Sequence, residues 1–329
     1  MQDNVIDISS LKTFFYLEEG VFPAIDDISF KIKKNKTLGV VGESGCGKSV
    51  TALSIMRLID NPGRTVSGEI IFKTNNNEEI DLLQIDPMSK IMRSIRGNDI
   101  SMIFQEPMTA MNPVFTIGDQ IIEVIRLHKR SNYDEAKQKT IDILKDVGIP
   151  SPEIKINEYP HQQSGGIRQR AMIAMALSCN PLLLIADEPT TALDVTIQAQ
   201  VLELMKNLQK NYNTSILFIT HDLGVISEMC DDVIVMYMGK IVEQASVIDL
   251  FNNPKHPYTI GLMNSIPSID SNNQTPLVTI KGNVPNPFEI TKGCRFQSRC
   301  PNVMDICKKE EPKLTNVSES HDTSCFLYN

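Results

Sequence analysis

Eight residues constrain this chain more than any others: Gly42-Glu43-Ser44-Gly45-Cys46-Gly47-Lys48-Ser49. They fit the pattern G-x-x-x-x-G-K-[ST]. The apolar run 38–41 precedes them, and residues 48–59, KSVTALSIMRLI, follow with apolar positions at helical spacing. A strand, a glycine-rich turn and a helix in that order cradle a polyphosphate. The loop must turn its backbone N–H groups inward, and Gly45 and Gly47 permit this because they lack Cβ. The helix N-terminus behind it adds positive potential. In such a loop Lys48 reaches the β- and γ-phosphates, and the Ser49 hydroxyl ligates Mg²⁺. Gly42, Ser44, Cys46 and Val50 complete the nucleotide-binding stretch, with Cys46 as a spacer.

A second segment supplies acid. Residues 182–186, LLLIA, read as a buried strand that ends in Asp187-Glu188. A buried strand holds its terminal groups rigidly. Asp187 would hold Mg²⁺ and its water shell. Glu188 would polarise an attacking water as general base.

The texture of the chain frames these two segments. Residues 5–8, 24–32 and 38–41 alternate as strands of an antiparallel lead-in. Residues 60–99 read as polar and loop-like, with a hairpin tip or small insertion at 75–79. Residues 117–127, 133–147 and 167–178 are helical, so a helical insert interrupts the strand-rich part. A helix follows at 196–212, a strand at 215–220, and a hairpin at 233–242 turning at Met238-Gly239-Lys240. Near residue 250 the texture changes, the stretch from Pro267 to Pro287 reads as linker, and a domain boundary is expected there. No internal repeat appears, so one nucleotide-binding cassette is expected per chain.

Composition narrows the function. Hydrophobic residues at 41% and charged residues at 22% suit a chain that buries a real core. The net charge of −8 argues against a main role on nucleic acid. No apolar run approaches the roughly 18–20 residues of a membrane span. The first ten residues show no basic patch followed by an apolar stretch, so no targeting segment is expected. The expected place is the cytoplasm, with room for a peripheral seat on a membrane protein. Cys294, Cys300, Cys307 and Cys325 crowd the tail. In a cytoplasmic chain such clustering suggests metal ligation before disulfides, and four thiolates suit either Zn²⁺ or a [4Fe–4S] cluster. Cys179 and Cys230 sit among apolar residues and read as inert core.

A third motif points to a family. Ser164-Gly165-Gly166 opens a helix about 20 residues before the acid pair and makes another anion site. One chain needs a single cradle for its γ-phosphate, so the second suggests service to a partner's nucleotide. The loop resembles the signature loop of ATP-binding cassette (ABC) proteins. Gln105, in IFQEP, matches that family's Q-loop, Ala192-Leu193-Asp194 its D-loop, and His221 its switch histidine. One departure stands out: Gln163 occupies a position where the family usually has Leu, and Ile167 one where Gln or Met is common.

The resemblance implies an α/β fold: a RecA-like P-loop ATPase core with an antiparallel β-subdomain, a helical subdomain and a small C-terminal Cys-rich metal-binding domain. It implies residues 1–250 as the ATPase domain, with a helical subdomain at about 106–180, and 251–329 as an extension. ATP would bind Lys48 and its loop, with Ser49 and Gln105 at Mg²⁺. Glu188, His221, Gln105 and Lys48 would serve catalysis. Ser164, Gly165, Gly166 and Asp194 would meet the ATP of a second ATPase subunit. An aromatic residue of the N-terminal strands would stack on adenine; Phe14, Phe15 and Tyr16 are candidates and Phe15 is favoured by position. The segments Tyr159-Pro160-His161-Gln162, 187–198 and 253–267 are most similar to D-type ATPase subunits of dipeptide and oligopeptide importers. That branch implies two transmembrane permease subunits, an extracytoplasmic peptide-binding protein acting indirectly, and a peripheral position on the cytoplasmic face of the cell membrane. It also tilts the four cysteines to [4Fe–4S], with zinc as the alternative. Rival functions are a soluble ABC protein of DNA repair or translation, and a redox or iron sensor built on the tail.

Overall fold

Short alternating runs joined by two-residue turns pair as antiparallel hairpins, and the chain begins with one. Strands β1 (Asn4–Leu17) and β2 (Gly20–Lys33) flank the turn at 18–19. The computed structural model describes residues 3–105, 110–191, 193–265, 280–286, 288 and 292–328. The expected linker 267–287 falls largely outside the described residues, as do Glu106 and Pro107 of the IFQEP segment and Ala192. The chain forms two compact units, each assembled from separate stretches.

The first unit comprises Met1–Asp7, Lys31–Thr37 and Ile70–Ile219. Its sheet pairs β6 (Ile100–Ile103), β7 (Leu183–Asp187) and β8 (Ser215–Thr220) in parallel. Ile100 lies opposite Leu183, and Asp187 opposite Ile219. Every residue of these three strands is buried. Continuous apolar runs rather than alternating ones are what a parallel sheet covered on both faces requires.

The helical insert is present in the same unit. Helix Ile117–Lys129 starts at a capping box of Thr116 and Asp119, and helix Tyr133–Asp146 at one of Asn132 and Glu135. Each box satisfies two otherwise unpaired N–H groups. Ile117, Ile121 and Ile125 make the buried stripe of the first helix, at i, i+4, i+8. Helix Gly165–Leu177 is buried on most sides, which is why its sequence shows no clean polar face.

Residues 60–99 depart from the loop-like expectation. They carry β4 (Gly63–Lys73), β5 (Glu79–Asp81) and helix Lys90–Ile95. The hairpin tip at 74–78 is closed by Thr74 N–H to Glu78 O at 2.9 Å. Ile70 and Phe72 are fully buried on one face of β4, but too few apolar residues precede them for a period of two to stand out. A six-residue helix is likewise too short to show a 3.6 period.

The second unit comprises Ile8–Phe30, Leu38–Glu69 and Thr220–Asn329. Here β1 lies between β2 and β4. A separate run joins β3 (Thr37–Val41), from Leu38 onward, in parallel to β9 (Asp232–Tyr237). The turn Met238-Gly239 leads to antiparallel β10 (Lys240–Ser246). Beyond β10 come β12 (His321–Thr323) and then β11 (Thr315–Ser318), both antiparallel. These two strands were not expected, because TNVS and HDT are short and polar. They cover the open edge of β10, which would otherwise present unpaired backbone groups.

One apolar core runs through this unit. Val41, Val233, Val235 and Leu250 share it with Tyr258 and Phe296. Tyr237, Tyr258 and Phe296 form an aromatic triad with ring centroids 4.8, 5.2 and 5.4 Å apart. Contacts of this kind add about 0.5–1.5 kcal/mol per pair beyond burial. Glu243, fully buried, anchors the tail. Its carboxylate accepts the N–H groups of Lys255 and His256 and faces His321 Nε2 at 2.7 Å.

Candidate functional site

The phosphate loop lies in the second unit, between β3 and helix Lys48–Ile55. Gly47 is the N-cap of that helix, and no side chain caps it. First-turn N–H groups not taken by a side-chain cap are what an anion uses. Gly47 has φ +105°, and a Cβ there would lie 2.4 Å from Ala24 O. Gly45 has φ +79° and open space around it, so its absent side chain leaves room for a ligand. Lys48 is buried, and its ammonium donates to the carbonyls of Gly42 at 2.8 Å and Glu43 at 3.2 Å. Burial raises the Cys46 thiol above its ordinary range, in keeping with a neutral spacer.

Glu43, a variable position of the motif, is held by two residues of the tail. Its carboxylate takes a two-pronged ion pair from Arg299, at 2.6 and 3.0 Å. Its N–H donates to the Tyr258 hydroxyl at 2.8 Å. The sequence reading did not single out Arg299, and Tyr258 appeared only within a tail motif. No local signal marks such a pair, because its members stand 256 positions apart.

An open cleft of about 370 Å³ adjoins the loop, lined by Phe22, Pro23, Ser44, Gly45, Met238, Val284, Pro285 and Asn286. Phe22, rather than the favoured Phe15, lines it. Phe15 sits behind, its ring centroid 6.2 Å from that of Phe22. The β1–β2 hairpin brings the two rings together from either side of the turn. His221, also in the second unit, is exposed beside Asp222, whose carboxylate caps the next helix.

The acid pair lies in the first unit. Asp187 ends β7 and is buried. Glu188 has φ +47°, and its N–H donates to Ile219 O at 2.9 Å. Its Oε2 accepts from Gln105 Nε2 and from Thr191 Oγ1, each at 3.0 Å. Two residues predicted separately, Gln105 and Glu188, are therefore in direct contact. Thr191 is a partner that sequence reasoning missed.

The Ser-Gly-Gly loop is also in the first unit. Ser164 caps its helix by accepting the Ile167 N–H. A Cβ on Gly165 would meet nothing within 4 Å, and one on Gly166 would touch Ile197 at 3.2 Å. Asp194 caps the helix that carries Ile197, accepting its N–H at 3.0 Å. Gln163, the family departure, is buried and its amide donates to the Glu158 carboxylate. Lys155 first, and Gln163 second, hold that carboxyl below its ordinary range. The polar residue is thus satisfied where an apolar one would be expected.

In the tail, Cys294, Cys300, Cys307 and Cys325 line one small cavity together with His256 and Phe296. The Cys294 N–H donates to Cys307 O at 2.8 Å. Burial first, with the neighbouring thiols adding to it, pushes Cys294 up to about 11. Among the described residues no group of three or more His, Cys, Asp or Glu forms a site able to hold a metal ion. The four cysteines line this one cavity. Burial also pushes His256 down to about 4. Its Nδ1 accepts the Tyr258 N–H, so the neutral ring carries its proton on Nε2.

A phosphate loop, an acid pair at a strand end, a glutamine on the second acid and a Ser-Gly-Gly helix start define a class. The profile of the ABC transporter family matches residues 25–191, and the chain belongs to that family. It is an ABC-type ATPase. A second profile, the oligopeptide/dipeptide transporter C-terminal region, matches residues 242–307. Over 99% of its length the chain is 51% identical to a probable peptide ABC transporter ATP-binding protein of Sinorhizobium fredii, covering 96% of that protein. It is 52% identical to the oligopeptide transport ATP-binding protein AppD of Bacillus subtilis, over 98% of this chain and 97% of that one. Among solved structures, a dimeric bacterial ABC transporter cassette shares the fold at TM-score 0.64 and 24% identity, over 74% of this chain and 98% of that chain. No helix among the described residues is long and apolar enough to cross a membrane.

Proposed function

We propose that this chain is the ATP-binding and ATP-hydrolysing subunit of a membrane importer of dipeptides and oligopeptides, of the D type. The observation that carries the reading is one chain bearing both the phosphate loop and the 242–307 tail region. Full-length relatives named for peptide transport support it.

Residues 42–50 hold the polyphosphate, with Lys48 at the β- and γ-phosphates. Ser49, Asp187 and Gln105 would hold Mg²⁺, which neutralises charge developing on the phosphates. Glu188, oriented by Gln105 and Thr191, takes the proton of the attacking water. His221 contacts the γ-phosphate. Phe22 and Phe15 supply the aromatic surface for adenine. Ser164, Gly165, Gly166 and Asp194 face the ATP of a second ATPase subunit. Two permease subunits dock near Gln105, and an extracytoplasmic peptide-binding protein delivers cargo. The chain then works peripherally on the cytoplasmic face of the cell membrane. Residues 1–250 form its ATPase domain, with the helical subdomain at about 106–180, and 251–329 its extension.

Cys294, Cys300, Cys307 and Cys325 would hold a [4Fe–4S] cluster, zinc being the alternative. Such a group would cross-link the tail. Anaerobic purification should give brown protein with iron on metal analysis; zinc without iron supports the alternative.

The function is tested by purification from membranes followed by reconstitution in vesicles. Two permease subunits and a second ATPase should co-purify, and ATP turnover should rise with peptide-loaded binding protein. Turnover indifferent to peptide, with no permease partner, would sink the reading.

A further inference from the structure

Residue 43 is held through each of its polar groups. Its carbonyl accepts from Lys48, its N–H donates to Tyr258, and its carboxylate is gripped by Arg299. Two of those three partners belong to the tail. We infer that Arg299 and Tyr258 are positioning residues of the ATP site, so that the C-terminal extension is a working part of the phosphate loop.

The clamp has several supports. The Arg299 side chain is 5% exposed. Its N–H donates to Phe296 O at 3.0 Å, its Nε to Lys281 O at 3.3 Å, and its guanidinium lies 3.4 Å from the Tyr237 hydroxyl. Tyr258 and Phe296 are in the aromatic triad of the core. A planar guanidinium held this way fixes a carboxylate in position and plane, which a lysine ammonium does not. Fixing Glu43 fixes the carbonyls of Gly42 and Glu43, the two acceptors that park the Lys48 ammonium. The loop therefore meets its ligand with its cation in place and little ordering left to lose.

The inference rests on the loop being the ATP site. The test is equilibrium binding of a fluorescent ATP analogue with Mg²⁺ to the full chain, with a thermal melt to establish folding. Lys48→Ala tests the underlying reading: analogue binding unchanged there would remove the ATP site itself. Arg299→Lys and Glu43→Gln should each weaken binding about tenfold, the range of one charge-assisted hydrogen-bond set. The double variant should be no weaker than either single one, because both break the same contact. Glu43→Arg with Arg299→Glu should recover part of the loss. Tyr258→Phe, which keeps the ring in the core, should weaken binding about threefold. In ATPase assays KM should rise while kcat stays near the wild-type value, the mark of lost uniform binding. Wild-type affinity in folded Arg299→Lys and Glu43→Gln, with binding lost in Lys48→Ala, overturns the clamp and leaves the ATP site standing. Additive losses in the double variant overturn it too.

Discussion

Two glycine-rich helix starts among the described residues differ in how their first turns are capped. At 42–49 no side chain caps the helix, Gly47 stands against Ala24 O, and Gly45 has nothing within 4 Å. At 164–166 Ser164 caps its own helix, Gly166 stands against Ile197, and Gly165 has nothing within 4 Å. Both use the same physics, a helix N-terminus that favours an anion. The difference teaches what each start has left to offer. An uncapped start leaves its first-turn N–H groups for a ligand, and a Ser-capped one has already satisfied one of them.

The comparison breaks most visibly where binding and chemistry part. Glu188→Gln should still bind ATP but turn over about a hundredfold slower or worse; wild-type turnover would take the base role away from Glu188. Gly47→Ala comes next. A Cβ must enter left-handed φ and approach a carbonyl, so unfolding in urea should show a loss of about 2 kcal/mol or more, and ATP binding should fall with it. Ser164→Ala removes one cap and should cost about 1 kcal/mol, with ATP binding to the chain alone unchanged. Gly165→Ala has the smallest expected effect on the isolated chain, within about 0.5 kcal/mol in a denaturation curve. The same variant should slow turnover of the assembled ATPase pair. If pair turnover is untouched, the Ser-capped loop does not serve a partner, and the contrast between the loops loses its meaning.

The phosphate loop was legible in the sequence because each of its requirements falls on adjacent residues. The buried strand β7, with its acids, and the insert helices were legible for the same reason: uniform burial and a 3.6-residue stripe are local patterns. Glu188 was named from the strand that ends in it and Gln105 from resemblance, and neither pattern announced that the two side chains touch. What escaped depends on distance along the chain. Arg299 on Glu43 has no periodicity to announce it, and Phe22 reaches the cleft only because a hairpin folds it next to Phe15. The strand β4 was hidden by polar residues and glycines on either side of Ile70 and Phe72. The strands β11 and β12 were hidden by being short and polar, their place set by the free edge of β10.

Glu243 carries a consequence for anyone who splices such chains. A chimera that joins one ATPase's first 250 residues to another's tail cuts where composition invites a cut. It also separates a fully buried carboxylate from its side-chain partner, His321, whereas the backbone N–H groups at 255 and 256 come with any residue but proline. Leaving a buried charged acceptor short of a partner costs about 1–3 kcal/mol or more, a large share of what holds a domain folded. Interchangeable tails therefore need a donor at the place of His321, and a swap lacking it should yield less stable chains before it yields altered transport.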